Sequence, residues 1–197
     1  MITDIRLAGQ QLAAPRFDTP KKLVSWMGAI QAQDYAMARW AVGIRLKSAT
    51  ARSVGEAFSR GEILRTHVMR PTWHLVAAED IRWMLKLSAR RIRSANESLA
   101  KGRQLELTEQ LHYRCDRLLE KMLEGNRNLT KQQIGEELNR QGIAADTPRL
   151  TRLLMRAETE AVVCSGPFSG GKQTYALLEE RVPPVPELHP DEALAKL

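Results

Sequence analysis

Cysteine is scarce in this chain of 197 residues, and the usual metal-binding patterns are missing. The two cysteines, Cys115 and Cys164, lie far apart and form no Cys-x-x-Cys pair. The four histidines show no His-Glu-x-x-His or similar ligand spacing. We therefore expect no structural zinc site and no other cofactor. Both thiols should be reduced, as in a cytoplasm.

Long apolar runs are also missing, and so is a signal segment at the start of the chain. No apolar stretch approaches the roughly 20 residues needed to cross a bilayer. A composition of 43% hydrophobic and 27% charged residues is typical of a globular protein. The sequence thus predicts one domain, or two small ones, without a membrane-spanning segment.

Positive charge is present in excess. Lysine and arginine number 30 against 23 acidic residues, which gives a formal net charge of +7. A surface this basic favours a polyanionic partner, with nucleic acid first and an anionic membrane second. Composition alone does not choose between them.

Helical periodicity dominates the chain, and two segments with strand character interrupt it. The first is a predicted hairpin, 63–69 and 72–76, which turns around Arg70 and Pro71. The second joins 161–164 to 172–178 through a glycine-rich loop. Each hairpin follows a group of helices. We predict a mainly α fold with small β-hairpins, arranged as tandem winged-helix modules that contain helix-turn-helix motifs.

This order of elements predicts the domain boundaries. The first module with its linker helix should span 1–105, where the basic stretch 90–103 is expected to be a solvated helix and linker. The second module should span 106–181. The proline-rich segment 182–197 should be a linker into a further C-terminal domain. We expect a monomer.

Three arginines share one face of the last helix predicted in the second module. Arg149, Arg152 and Arg156 follow the spacing i, i+3, i+7, to one side of the leucine stripe. A recognition helix presents arginines to DNA in this way. The alternative is a solvated cationic face that holds carboxylates such as Glu158.

The glycine-rich loop of the second hairpin resembles a phosphate-binding loop in part. Gly166 to Lys172 follows the pattern G-x-x-x-x-G-K, but Gln173 stands where a magnesium-coordinating Ser or Thr is required. The following residues alternate like a strand, whereas a phosphate loop opens a helix. We therefore expect no bound nucleotide. The loop should form a wing whose Lys172 can contact a DNA phosphate.

Two glutamines, Gln31 and Gln33, lie at the end of a predicted apolar helix, next to Asp34. On a helix they would point about 200° apart, and they converge only if the helix breaks there. Chemistry alone favours polar residues that join two helices. Asp34 is either an electrostatic helper for the glutamines or the cap of the following helix.

The stretches 28–35, 38–41 and 65–76 resemble, in order and spacing, the AlkZ/YcaQ family of bacterial DNA glycosylases. The resemblance runs over about the first 180 residues. Members of the family use tandem winged helices around a concave DNA-binding surface. They excise alkylated purines from double-stranded DNA, and some act on interstrand crosslinks. A full-length relative also has a further C-terminal portion.

The resemblance implies site residues in this chain. The catalytic motif of the family, a glutamine, an apolar residue and then Gln or Asp, matches Gln31-Ala32-Gln33. Its Thr-x-His element matches Thr72-Trp73-His74, and Thr72 and His74 face the same side of a strand. These two residues and Arg70 in the turn are therefore candidate DNA contacts. A histidine that packs beside Trp73 is the other interpretation of His74.

Glutamine suits the chemistry that the resemblance implies. An N7-alkylated guanine already carries positive charge and can leave without a general acid. The site then needs only to hold and polarise a water, which amide oxygens can do. The sequence thus predicts a monofunctional glycosylase for cationic, labile purines. The alternative is a non-catalytic winged-helix DNA-binding protein, such as a transcriptional regulator.

Overall fold

The computed structural model describes residues 2–186 and 188–197. Within these residues the helices are α1 Ile2–Gly9, α2 Pro20–Met27, α3 Tyr35–Gly43, α4 Ala51–Ser59, α5 Ile81–Gly102, α6 Glu109–Leu123, α7 Lys131–Arg140, α8 Thr147–Thr159, α9 Leu178–Arg181 and α10 Pro190–Lys196. The strands are β1 Ile30–Gln31, β2 Ile63–His67, β3 Trp73–Ala77, β4 Leu129–Thr130, β5 Val163–Ser165 and β6 Thr174–Leu177.

Two parts of the chain repeat one order of elements. The first unit, 20–77, runs α2, β1, α3, α4, β2, β3, and the second unit, 109–177, runs α6, β4, α7, α8, β5, β6. In each unit the short first strand pairs with the last one, so the antiparallel sheets have the orders β1-β3-β2 and β4-β6-β5. The predicted mainly α fold with small hairpins is confirmed.

The helix before the two glutamines does break. α2 ends at Met27, and Gly28 follows with a φ of 71°, a conformation that glycine adopts at little cost. The chain then becomes extended, so that Gln31 lies on β1 and pairs with His74 of β3. Gln31 therefore lies on a strand and not on a helix, and Gln33 follows it in the short segment before α3.

Three apolar clusters hold the fold together. One lies inside the first unit around Phe58, and a second lies inside the second unit around Leu119. The third lies between the units and joins Leu64 of β2 to Cys164 of β5 and to α5. Phe168, from the loop of the second hairpin, also packs on the first unit, with its ring 4.4 Å from that of Tyr35. The two units therefore share buried surface.

The segment expected to be a solvated helix and linker is instead part of one helix, α5, of 22 residues. Ser88, Ile92, Asn96 and Ala100 form a buried stripe along it. The Asn96 side chain donates a hydrogen bond to the backbone oxygen of Arg152 on α8, at 3.0 Å. This face is small and polar rather than leucine-rich, which is why the periodicity of apolar residues did not reveal it.

The end of the chain folds back onto α5. Ala193 of α10 is buried, and Lys196 Nζ lies 2.6 Å from Oδ1 of Asp80, the residue that precedes α5. Residues 183–186 have no regular structure, as expected of a proline-rich segment, and Glu187 lies outside the described residues. Within the described residues, 190–196 form a docked helix rather than a continuous linker.

Candidate functional site

The two candidate catalytic glutamines project from one extended segment that pairs with β3. Backbone hydrogen bonds fix this segment, since Ala32 N–H donates to Trp73 O at 2.7 Å. The Gln33 side-chain oxygen accepts from Trp73 N–H at 3.3 Å, which orients its amide. Ala32 is buried, whereas Gln31 and Gln33 are exposed, as alternation in an extended chain requires. Among the described residues, the Gln31 amide has no hydrogen-bond partner.

His74 stands directly opposite Gln31. Opposed residues of antiparallel strands project to the same side, so the imidazole and the Gln31 amide share one face of the sheet. His74 Nδ1 lies 2.8 Å from Thr72 O, so it carries the proton and leaves Nε2 as an acceptor. Burial lowers the pKa of His74, and its hydrogen bond to Thr72 O opposes this only in part. The imidazole is neutral at neutral pH.

Thr72 and His74 lie on the side of β3 opposite Trp73. The Thr72 Oγ1 atom is buried and has no hydrogen-bond partner in the described part of the chain, so it can bond a ligand only if the turn around it opens. The ring that packs beside Trp73 belongs to His67, with centroids 4.1 Å apart. His74 is therefore not the histidine that stacks on Trp73.

Arg65 fixes the glutamine segment from β2, and the sequence analysis did not single it out. Its Nε donates to Ala32 O at 2.9 Å and its Nη2 to Gln33 O at 3.0 Å. Nη1 donates to the side-chain oxygen of Gln173, which follows the wing loop of the second unit. The guanidinium also lies 4.5 Å from the Trp73 ring centroid. One side chain thus connects the backbone of Ala32 and Gln33 in the first unit to Gln173 of the second unit.

Asp34 is a helix cap. Its Oδ1 accepts from Met37 N–H at 3.0 Å, which starts α3 directly after Gln33. Of the two interpretations left open by the sequence, the structure supports capping. Asp34 helps to end the extended segment and so fixes the point at which Gln33 leaves it.

The turn of the first hairpin carries Arg70 at the surface, beside the Thr72 face. Two three-residue turns build it, since Arg70 N–H donates to Val68 O and Thr72 N–H donates to Arg70 O, both at 2.7 Å. Met69 is at the centre of the first turn with a φ of 66°. Arg70 is exposed, as a DNA contact requires.

The prediction that three arginines of α8 form one face toward DNA is wrong for Arg156. Its side chain is only 9% exposed, and it pairs with Glu109 at 2.9 Å, Glu160 at 2.8 Å and Glu97 at 3.7 Å. Glu158, the carboxylate that the alternative assigned to this face, instead bonds His67. Arg156 is an internal ion-pairing residue, because α5 and α6 cover this end of α8.

Arg149 and Arg152 keep part of their surface exposed, and other cations surround Arg152. Burial lowers the pKa of Arg152, and the charge of Arg103 at the end of α5 adds to this. Burial and the charge of Arg152 likewise lower the pKa of Lys131 at the start of α7. Three elements thus bring together cations that repel each other, which favours an anionic ligand. Lys131 and Arg103 were missed because they are far from α8 in sequence.

Lys172 is exposed at the end of the wing turn. Ser169 and Lys172 exchange two backbone hydrogen bonds, at 2.9 and 3.0 Å, around Gly170 and Gly171, whose φ values are 55° and 76°. This is a two-residue hairpin turn of the kind that requires positive φ at both positions. The glycine-rich loop therefore joins two strands and does not open a helix.

Thiol and metal chemistry find little support in the described residues. Burial raises the pKa of both Cys115 and Cys164 to about 12, so neither thiol is a nucleophile at neutral pH. No group of three or more His, Cys, Asp or Glu side chains that could hold a metal ion occurs in 2–186 and 188–197. In the same ranges, no helix has the length and apolar character needed to cross a membrane.

Comparison with known proteins identifies the family of this chain. A family model described as DNA glycosylase AlkZ-like matches residues 24–197. The solved structure of Streptomyces sahachiroi DNA glycosylase AlkZ has a TM-score of 0.73 and 23% sequence identity, with 95% of this chain covered. The match covers 52% of that chain, so this chain spans about half the length of its solved relative. No curated protein sequence matches it. Because the family match covers most of the sequence, this chain belongs to the AlkZ-like DNA glycosylase family.

Proposed function

We propose that this protein hydrolyses the N-glycosidic bond of cationic alkylated purines, such as N7-alkylguanine, in double-stranded DNA, including purines held in interstrand crosslinks. The observation that carries the proposal is the placement of Gln31 and Gln33 on one side of an extended segment, with His74 directly opposite Gln31. Two amides and a neutral imidazole form a polar site without a strong acid or base.

The unequal bonding of the two glutamines suggests separate roles. Gln33 has its oxygen engaged by Trp73 N–H, so its amide is held in one orientation. Gln31 is free to turn its side-chain oxygen toward a water molecule and accept a hydrogen bond from it. The water attacks C1′ of the sugar as the bond to the purine breaks, the purine leaves with the bonding electrons, and the surplus proton of the water passes to bulk solvent. That electron pair neutralises the positive charge of the alkylated ring, so the leaving group needs no proton.

Neutral His74 contributes an acceptor rather than a charge. Its free Nε2 lies on the same side as Gln31, where it can bond the sugar or the phosphate next to the lesion. This limited machinery favours a labile, positively charged substrate over an intact neutral nucleotide.

DNA contact would come from both units, which we propose are winged-helix modules within the domains 1–105 and 106–181. Arg70 lies beside the site, while Arg149, Arg152 and Lys172 extend the cationic surface in the second unit. These residues contact phosphates, so binding should be largely independent of sequence. We propose a cytoplasmic monomer that needs no cofactor.

Excision of N7-methylguanine from a duplex tests the proposal. The chain is assayed both alone and within the longest open reading frame that contains it, and both the released base and the abasic site are measured. Gln31→Ala and Gln33→Ala should slow release about 10- to 1000-fold and change DNA affinity much less, because positioning a water matters mainly in the transition state. Gln132→Ala, on the exposed face of α7, is the matched control.

Two outcomes would overturn the proposal. Parallel losses of affinity and rate would make the glutamines structural. Binding of the duplex without release of the base, on crosslinked DNA as well, would favour the non-catalytic DNA-binding protein.

A further inference from the structure

Met69, at the tip of the first hairpin, has a backbone conformation that its residue type disfavours. Its φ of 66° lies in the left-handed region, where a residue with a side chain is uncommon. It centres a tight turn closed by the hydrogen bond from Arg70 N–H to Val68 O. Glycine would satisfy this position without strain, so the methionine side chain calls for another explanation.

α5 holds the strained residue in place. Met69 N–H donates to Ser88 Oγ at 2.8 Å, and the Ser88 hydroxyl donates onward to Met84 O at 2.6 Å. Ser88 is buried, and so is Val68, the residue before the tip. The tip is therefore anchored to the core at Val68 and at the Met69 amide, and it is not a loose loop.

The same anchoring leaves the methionine side chain in solvent. Met69 is 39% exposed, although a thioether gains nothing from water. Its neighbours are the exposed cation Arg70, then Pro71 and Thr72. An apolar side chain followed by a cation, on a rigid tip, matches the chemistry of a stack of bases lined by phosphates.

The tip also lies at a suitable distance from the glutamines. His74, opposite Gln31, follows Met69 after two tight turns and the first residue of β3, a stretch that spans at most about 17 Å. Successive bases in one DNA strand are about 3.4 Å apart. A nucleotide held at Gln31 and His74 therefore places the neighbouring base pairs within reach of Met69.

From these observations, we infer that Met69 is a wedge that enters the base stack beside the nucleotide held at the glutamines. Proteins that kink or open a duplex insert side chains such as Met, Leu or Phe between base steps in this way. Arg70 would hold the adjacent phosphate while Met69 partly unstacks one step. The inference rests on the proposed binding of duplex DNA but not on the excision reaction itself.

The test uses a duplex with an uncleavable tetrahydrofuran abasic analogue and the fluorescent base 2-aminopurine at successive positions on either side of it. Unstacking raises the fluorescence of 2-aminopurine. Saturating amounts of the protein should raise it at least about threefold at one position within a few base pairs of the analogue. Met69→Ala should remove most of that rise, and Met69→Leu should keep it. Leu99→Ala, which truncates another exposed apolar residue far along α5, should leave it unchanged.

Two further variants test whether Met69 acts as a wedge or is only tolerated at this position. Met69→Gly relieves the strained φ, so the protein should melt no lower than before while the fluorescence rise is lost. Ser88→Ala releases the anchor and should reduce the rise with the methionine still present. A Met69→Gly variant that keeps the full rise would overturn the inference.

The wild-type protein supplies the remaining outcomes. If it binds the duplex and no position responds, the wedge is excluded while excision by the glutamines is untouched. If it does not bind the duplex at all, both the wedge and the proposed function are overturned.

Discussion

His67 Nδ1 lies 2.6 Å from Glu158 Oε2, and both side chains are buried. The histidine belongs to β2 of the first unit and the glutamate to α8 of the second. The same carboxylate oxygen accepts from His67 N–H at 3.2 Å and from Thr66 Oγ1 at 3.4 Å. One glutamate of the second unit thus bonds two successive residues of the strand next to the glutamine site.

Glu158→Ala should lower the free energy of unfolding by about 3 kcal/mol, because it leaves several buried donors of β2 without an acceptor. Urea denaturation followed by circular dichroism measures this change. Glu136→Ala, an exposed glutamate on α7, is the control and should be close to neutral. A loss below about 1 kcal/mol for Glu158→Ala would show that water replaces the carboxylate.

Arg65→Lys should reduce excision about 10- to 100-fold with DNA affinity nearly unchanged, because lysine keeps the charge but cannot reach both backbone oxygens at once. Hydrogen exchange of the Ala32 amide should become faster, which gives a readout independent of activity. The matched control is Arg181→Lys, since Arg181 also donates to two backbone oxygens, those of Phe58 and Ser59. If Arg65→Lys changes neither the hydrogen exchange of the Ala32 amide nor the excision rate, Arg65 does not position the glutamine segment.

Replacing Lys131, Arg149 and Arg152 together by alanine should flatten the salt dependence of duplex binding. Each lost phosphate contact reduces the slope of log K against log salt by about 0.9. Arg156→Ala should leave the slope unchanged and cost about 1–2 kcal/mol of stability, because its partners are carboxylates of the protein. Binding across a salt series by fluorescence anisotropy measures both. Equal slopes for the triple variant and the wild type would place the DNA elsewhere.

Asp116→Asn should stabilise the protein at pH 7 and have less effect as the pH falls. Burial, with the charge of Glu160 next in importance, raises the pKa of Asp116 from 3.8 to about 6 in the folded protein. The folded state therefore binds this proton more tightly than the unfolded state does. Above pH 6 the buried charge costs stability, and that cost disappears between about pH 6 and pH 4. Melting temperatures of both proteins across this range should converge on the acidic side, and a constant gap would contradict the assignment.

The hairpin beside the site could be predicted because its strands are rich in β-branched residues on either side of Arg70 and Pro71. The sequence showed that the glutamines converge if the helix before Gln31 breaks, but it did not show that the helix breaks. A glycine such as Gly28 can either end a helix or lie within one. Arg65 could not be found, because its partners are backbone oxygens that carry no sequence signature. Arg156 was misplaced because its acidic partner Glu109 comes from another helix, 47 positions earlier in the chain.

The burial of the C-terminal half of α5 was not predicted for a related physical reason. Apart from Ile92, burial there is achieved by Ser88, Asn96 and Ala100, and the first two donate hydrogen bonds to the backbone oxygens of Met84 and Arg152. Apolar periodicity detects helices that bury leucine-sized residues. It has no means to detect a helix that buries small or hydrogen-bonded ones.

The contacts across the two units have a consequence for synthesis on the ribosome. β2 is an edge strand of its sheet, and its partners lie far ahead in the chain: Glu158 follows His67 by 91 positions, and Gln173 follows Arg65 by 108. At about 5–20 residues per second, the ribosome needs roughly 5 to 20 seconds to make that stretch. During this interval the nascent chain presents an uncovered edge, a template for pairing with other chains. A product terminated before residue 173 would keep both glutamines and the Arg65 bonds to Ala32 and Gln33, but it would lack the Gln173 bond that holds the Arg65 guanidinium from the second unit.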